Sequence, residues 1–186
     1  MNNPRKIKTT LTKEVITSLR DGDMVLLSGE VYTARDVAHR RLYDALIKGE
    51  ALPVVPNAVL FYAAPTQPRP GKVIGYIGPT PSSRMDFFTP KLIENGLRGM
   101  IGKGKRSPDV VAALKKYGAV YFGAIGGIAA LMSQCVKKME LIAYEDLGPE
   151  AIRKLTIVDL PLVVINDSQG NDLYLSEQTK WRVPSM

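Results

Sequence analysis

The chain has one cysteine, Cys135, and one histidine, His39. A single cysteine cannot form an internal disulfide, and with one histidine it cannot build a Cys₃ or Cys₄ cluster or a tetrahedral zinc site. Any such metal must be held elsewhere. The N-terminus lacks the charged-then-apolar leader of a secreted protein, so the expected location is cytoplasmic. Acidic residues are also in short supply: 18 Asp and Glu against 25 Lys and Arg leave a net charge of +7. That excess attracts nucleic acid, acidic membranes and small anions alike, and does not choose among them. A membrane span is not expected either. The longest uncharged run, Tyr117–Val136, is broken by Gly118, Gly123, Gly126 and Gly127 and reads as strand, turn and helix.

What is present suits one globular domain with a sizeable core: 45% hydrophobic and 23% charged residues over 186 positions. The pattern predicts strands at Arg5–Thr9 and Met24–Tyr32 around a short helix, Thr12–Leu19. Val37, Leu42, Ala45 and Leu46 recur at helical spacing through Ala34–Lys48, with Gly49 placed to stop that helix. A proline-rich passage from Pro53 to Pro81 holds two strand candidates, Val59–Ala63 and Val73–Ile77. Beyond it helices (Met85–Glu94, Asp109–Lys116, Ile128–Ser133) alternate with strands (Gly99–Ile101, Ala119–Phe122). Strands near Lys138–Tyr144 and Leu162–Ile165 follow, and Asn171–Tyr174 is a candidate edge strand. Such alternation predicts α/β layering, with a mixed sheet and flanking helices.

Three turns carry candidate chemistry. Gly78-Pro79-Thr80-Pro81-Ser82-Ser83-Arg84 joins a strand to a helix, where hydroxyls and N–H groups face an anion and Arg84 can clamp a carboxylate. The same composition also makes a plain proline-stiffened loop whose serines cap the next helix. Gly102-Lys103-Gly104-Lys105-Arg106-Ser107 is a cationic turn without Walker spacing, able to approach an anion or simply to be solvated. Arg35-Asp36, with His39 one helical turn on, stands where the second strand gives way to a helix. There Arg35 is a candidate anion ligand and His39 reads as structural.

In their order these turns resemble the β subunit of the iron–sulfur hydro-lyases, class I fumarase and its relative L-tartrate dehydratase. The likeness covers roughly Leu19 to Tyr174. It is carried by Ser28-Gly29, Arg35-Asp36-Val37-Ala38-His39, Gly78-Pro79-Thr80 with Arg84-Met85-Asp86, and Lys103-Gly104 with Arg106-Ser107. Tyr121-Phe122-Gly123-Ala124-Ile125-Gly126-Gly127, Tyr144–Gly148 with Glu150-Ala151-Ile152, and Gly170-Asn171-Asp172 complete it. The resemblance implies a swivelling β/β/α fold over 1–186. It also implies a hetero-oligomer with a cysteine-bearing α subunit that binds a [4Fe–4S] cluster, and a dicarboxylate substrate such as fumarate or malate. By the same resemblance Arg35, Arg84 and Lys103 bind substrate carboxylates. Thr80 stands near the carbon that gains or loses a proton, with Lys103 also at the catalytic position. Many relatives carry a second threonine after Gly-Pro-Thr, where this chain has Pro81. A reading from another class is a basic RNA-binding module built on Lys103, Lys105 and Arg106, although no aromatic-rich binding strand accompanies them.

Overall fold

Seven strands form one mixed sheet in the computed structural model, which describes residues 3–182. The strands are β1 (Arg5–Lys8), β2 (Met24–Thr33), β3 (Val59–Phe61), β4 (Gly99–Gly102), β5 (Val120–Gly123), β6 (Val136–Ala143) and β7 (Ile152–Asn166). The helices are α1 (Lys13–Ser18), α2 (Asp36–Ile47), α3 (Thr89–Glu94), α4 (Pro108–Tyr117), α5 (Ala129–Cys135) and α6 (Leu173–Trp181). Strand order is β1-β2-β3-β4-β5-β7-β6, and β7 also pairs with β2, so the ladder through β2, β3, β4, β5 and β7 closes on itself. β2 to β5 run parallel, and β7 runs antiparallel to both β2 and β5.

The short parallel strands are apolar without alternation because both of their faces are covered. Val59, Phe61, Ile101, Val120 and Phe122 point into one core with Leu27 and Leu162 of the long strands. Their neighbours Leu60, Met100 and Tyr121 point the other way, into a second core beneath Ala38 and Leu42 of α2, Ile93 of α3 and Leu114 of α4. Each fully buried Leu, Ile or Phe contributes roughly 1.5–3 kcal/mol, so the two layers together hold the strand edge firmly. Local signals set the helix ends. Ser107 caps α4 by accepting the Val110 N–H, Pro108 occupies the first turn, and Gly118 ends the helix at φ +69°.

The structure departs from the sequence pattern at four places. Val73–Ile77 is not a strand: Thr66 N–H donates to Tyr76 O (3.0 Å) and Tyr76 N–H to Thr66 Oγ1 (2.9 Å), folding the segment back on its own loop. A Cβ on Gly75 would lie 2.2 Å from Thr66 O, a fit that only glycine allows. Met85–Glu94 is two elements, a 3₁₀ turn at Ser82–Met85 and then α3, since Pro90 is tolerated only in a first turn. The strand near Leu162–Ile165 is the end of the 15-residue β7. Asn171–Tyr174 makes one bridge, Asn166 to Asp172, after which Asp172 caps α6 by accepting the Tyr174 N–H at 2.8 Å. No helix among the described residues is long and apolar enough to cross a membrane.

Candidate active site

Main-chain hydrogen bonds beyond the strand ends decide which turns meet. Tyr62 N–H donates to Ile101 O at 2.8 Å, and Tyr62 O accepts the Thr80 N–H at 2.7 Å. Lys103 N–H donates to Thr80 O at 3.3 Å and Ser82 N–H to Lys103 O at 2.8 Å, so Pro81 and Lys103 form a parallel bridge. Ala34 N–H donates to Phe61 O at 3.1 Å, bringing the start of α2 to the same edge, and Ala124 N–H donates to Gly102 O at 2.8 Å. The turns after β2, β3, β4 and β5 therefore gather at the C-terminal ends of parallel strands, where open α/β sheets usually place ligands. Gly102 makes the approach possible, because a Cβ there would lie 1.9 Å from Ser82 Oγ.

All four residues singled out in the sequence stand on this edge. Thr80 is 8% exposed, and its hydroxyl makes no hydrogen bond among the described residues. Lys103 is exposed, its stem passes Gly126, and its amine makes no ion pair among the described residues. Arg84 Nε donates to Asp36 Oδ1 at 2.7 Å with the side chain 49% exposed. Arg35 lies between two carboxylates without bonding either: Nε is 3.6 Å from Asp36 Oδ2, and Nη2 is 3.7 Å from Glu150 Oε1. The structure thus joins Thr80 to Lys103 through the main chain and Arg84 to Arg35 through Asp36. No direct bond links the four side chains to one another. Of the five principal surface cavities, an open groove of about 800 Å³ reaches Asp36 and Arg84, and none includes Thr80 or Lys103.

The cationic turn proves to be half structural. The Arg106 side chain is fully buried: Nε donates to Asp86 Oδ1 at 2.7 Å, Nη2 to Thr89 Oγ1 at 2.8 Å and Nη1 to the Tyr62 hydroxyl at 3.3 Å. Its guanidinium also packs 5.2 Å from the Tyr62 ring centre and 4.9 Å from that of Tyr121. Asp86 Oδ2 accepts the Ser107 N–H at 2.7 Å, so the pair pins the Arg84 turn to the Lys103 turn. Arg106 is therefore closed to RNA or substrate, which corrects its reading as part of a solvated cationic patch. The sequence offers no sign of this, since the burying partners come from elsewhere in the chain, Tyr62 just past the end of β3 and Tyr121 from β5.

His39 is buried behind Arg35. The contact between its Nδ1 and Arg35 O (2.9 Å) is a donated hydrogen bond in the neutral imidazole, which leaves Nε2 buried without a partner. Burial holds its pKa down to about 4, with the Arg106 charge also lowering it. The unfolded chain binds the proton near the ordinary value of 6.5, so between pH 6.5 and 4 the unfolded state carries more protons than the fold. Stability from this site is complete above that window and is lost as pH falls through it. Wild type is expected to lose on the order of 3 kcal/mol relative to His39→Asn across the window, measured by urea denaturation. Parallel pH curves for the two proteins would remove the effect.

Other motif residues hold the scaffold. Ser28 Oγ accepts the Asp159 N–H at 2.9 Å beside the bulge in β7, and Asp167 accepts the Gln169 and Asn171 N–H groups in the turn before α6. Arg41 and Asp146 pair side by side, tying α2 to the turn around Gly148. The donor set does not fit an iron–sulfur cluster. No group of three or more His, Cys, Asp or Glu among the described residues is placed to hold a metal ion, and the Cys135 thiol, pushed up in pKa by burial, faces the Leu131 and Asp159 carbonyls.

Comparison with known proteins adds independent support. The profile described as Fumarase C-terminus matches residues 2–177. The putative L(+)-tartrate dehydratase subunit beta of Methanocaldococcus jannaschii is 36% identical over 171 residues, which cover 88% of each chain. The aerobic class I fumarate hydratase of Escherichia coli is 36% identical over 168 residues, 87% of this chain and 31% of that protein. Its Salmonella typhimurium counterpart is 37% identical over 156 residues, 82% of this chain and 27% of that protein. The chain thus spans about a third or less of the fumarate hydratases it matches, and nearly all of the tartrate dehydratase subunit. A match over almost the whole sequence, joined to the strand-edge turns described above, places this chain in the Fumarase C-terminus family of class I fumarate hydratases and tartrate dehydratase beta subunits.

Proposed function

We propose that this chain, as one hydro-lyase domain over 1–186 with its core at about 19–174, is the small β subunit of a heteromeric iron–sulfur fumarate hydratase. The L-tartrate dehydratase β subunit is the alternative on the same site. The observation that supports this reading is the shared strand edge, where main-chain bonds bring the turns bearing Arg35, Arg84 and Lys103 to that of Thr80, whose hydroxyl makes no hydrogen bond among the described residues. Such an edge suits a small dianion better than a polymer. In this reading the three cations bind the two carboxylates. They also stabilise the negative charge that builds when a proton leaves the carbon beside a carboxylate, provided their contacts strengthen as that charge develops. Thr80 serves the proton at that carbon. The [4Fe–4S] cluster belongs to a cysteine-bearing α subunit and the complex to the cytoplasm.

Purification from the native source tests the assignment. Stoichiometric association with a cysteine-bearing chain and iron, with hydration of fumarate or dehydration of tartrate by the pair, is the expected result. Steeply salt-dependent retention of RNA, without such a partner, would favour the RNA-binding reading instead.

Arg84 gives a sharper test within the site. Its planar fork can grip a carboxylate through two parallel bonds, whereas a lysine offers a point charge. With charge-assisted bonds worth roughly 1.5–3 kcal/mol, Arg84→Lys is expected to lower kcat/KM by at least about tenfold. Wild-type kinetics in a normally assembled complex would remove Arg84 from the site.

A further inference from the structure

We infer that Asp36 is a positioning residue for the dicarboxylate site, holding Arg84 by its Nε so that the two Nη groups remain for the substrate; this rests on the function proposed above. Asp36 is the first residue of α2. Its Oδ1 accepts Arg84 Nε at 2.7 Å, while its Oδ2 stands 3.6 Å from Arg35 Nε. Both Oδ2 and Arg35 Nε are buried without a hydrogen-bond partner, so this carboxylate lies between the two arginines and is fully bonded by only one. A buried acceptor left in that state costs stability, and the orientation of Arg84, the one arginine it bonds, offsets that cost.

The geometry selects one face of Arg84. A guanidinium can meet a carboxylate side-on through Nε and one Nη, or end-on through both Nη groups. With Nε committed to Asp36, only the end-on fork is open. Arg84 is also half exposed, on a 3₁₀ turn, and without an anchor it would sample many rotamers. Glu150 does not fill this role. Its Oε1 stands 3.7 Å from Arg35 Nη2 and its second oxygen accepts the Val37 N–H at 3.1 Å, so it fastens the start of α2 and makes no hydrogen bond or ion pair with Arg84.

The test uses the assembled enzyme and two readouts, kcat/KM for hydration and the inhibition constant of succinate, a dianion that binds without reacting. Asp36→Ala is expected to lower kcat/KM and weaken succinate by about three- to tenfold, the range set by ordering one freed long side chain on binding. Asp36→Asn keeps an oxygen for Arg84 Nε and is expected to stay within about threefold of wild type, on the same scale. In an Arg84→Ala background, Asp36→Ala should cost nothing more, because its effect passes through Arg84. Should the alanine variant fail to assemble, Asp36→Ser, which suits a helix start but is too short to reach Arg84, replaces it. Equal losses with and without Arg84, or a loss in Asp36→Asn as large as in Asp36→Ala, would overturn the positioning role while the site stands. Wild-type values for Arg84→Ala alone would overturn the site reading, and this inference with it.

Discussion

Replacing Thr80 by valine is expected to lower kcat for hydration by about 10²–10⁴, the usual range for general acid–base catalysis, with assembly and substrate affinity little changed. Valine keeps the shape of threonine and deletes the oxygen. The fold has no stake in that oxygen: Thr80 is held by its main chain, through Tyr62 O and the Lys103 N–H, and its hydroxyl bonds nothing among the described residues. A free threonine is a very weak base, so an alkoxide there needs cations close by. Lys103, joined to Thr80 by the bridge at Pro81, and Arg84, four residues on, are the groups this edge offers. A loss confined to KM would indicate binding instead. Exchange of solvent protons into malate separates a base from an orienting group, and exchange at the wild-type rate in Thr80→Val would exclude Thr80 as the base whatever the overall turnover.

The second large effect is on stability. Arg106→Ala is expected to destabilise the chain by about 3–5 kcal/mol, because it leaves the Asp86 carboxylate in a largely buried site without its charge partner. Burial works against the Arg106 charge, yet Tyr62 and Asp86 outweigh it and raise its pKa above the ordinary guanidinium value. Breaking one side of such a pair is costly, whereas removing both partners together is often tolerated. Urea denaturation of Arg106→Ala, Asp86→Ala and the double variant should therefore show a combined loss clearly smaller than the sum of the single losses. A single-variant loss under about 1 kcal/mol would show that the Asp86–Arg106 pair does not hold the two turns together.

The parts of the fold legible in the sequence are those with local causes. The helix over α2 follows from Val37, Leu42, Ala45 and Leu46, although Val37 itself lies on the exposed side. The short strands β3, β4 and β5 announce themselves as apolar runs closed by glycine or proline. The turns bearing Arg35 and Lys103 were readable as strand-to-helix junctions, whereas the one bearing Thr80 and Arg84 follows loop at Val73–Ile77 and not the expected strand; sheet order and the Pro81–Lys103 bridge set all of them on one edge. β7 was not readable over its length. Arg153, Lys154, Asp159 and Pro161 break its apolar pattern, and its place comes from pairing with β2 and β5, distant in sequence, as well as with its neighbour β6. The burial of Arg106 was hidden for the same reason. Asp36 was visible only as part of a motif, and its reach to Arg84, 48 residues away, required the tertiary fold.

The central claim is that this chain holds the carboxylate-binding half of a dicarboxylate site and lacks the groups to work alone. Anaerobic titration of a cluster-loaded α subunit with this chain, following fumarate consumption, tests it most directly. The isolated chain should be silent, and activity should rise with added chain and saturate at an equimolar ratio. Robust hydration of fumarate by the isolated, metal-free chain would contradict the claim.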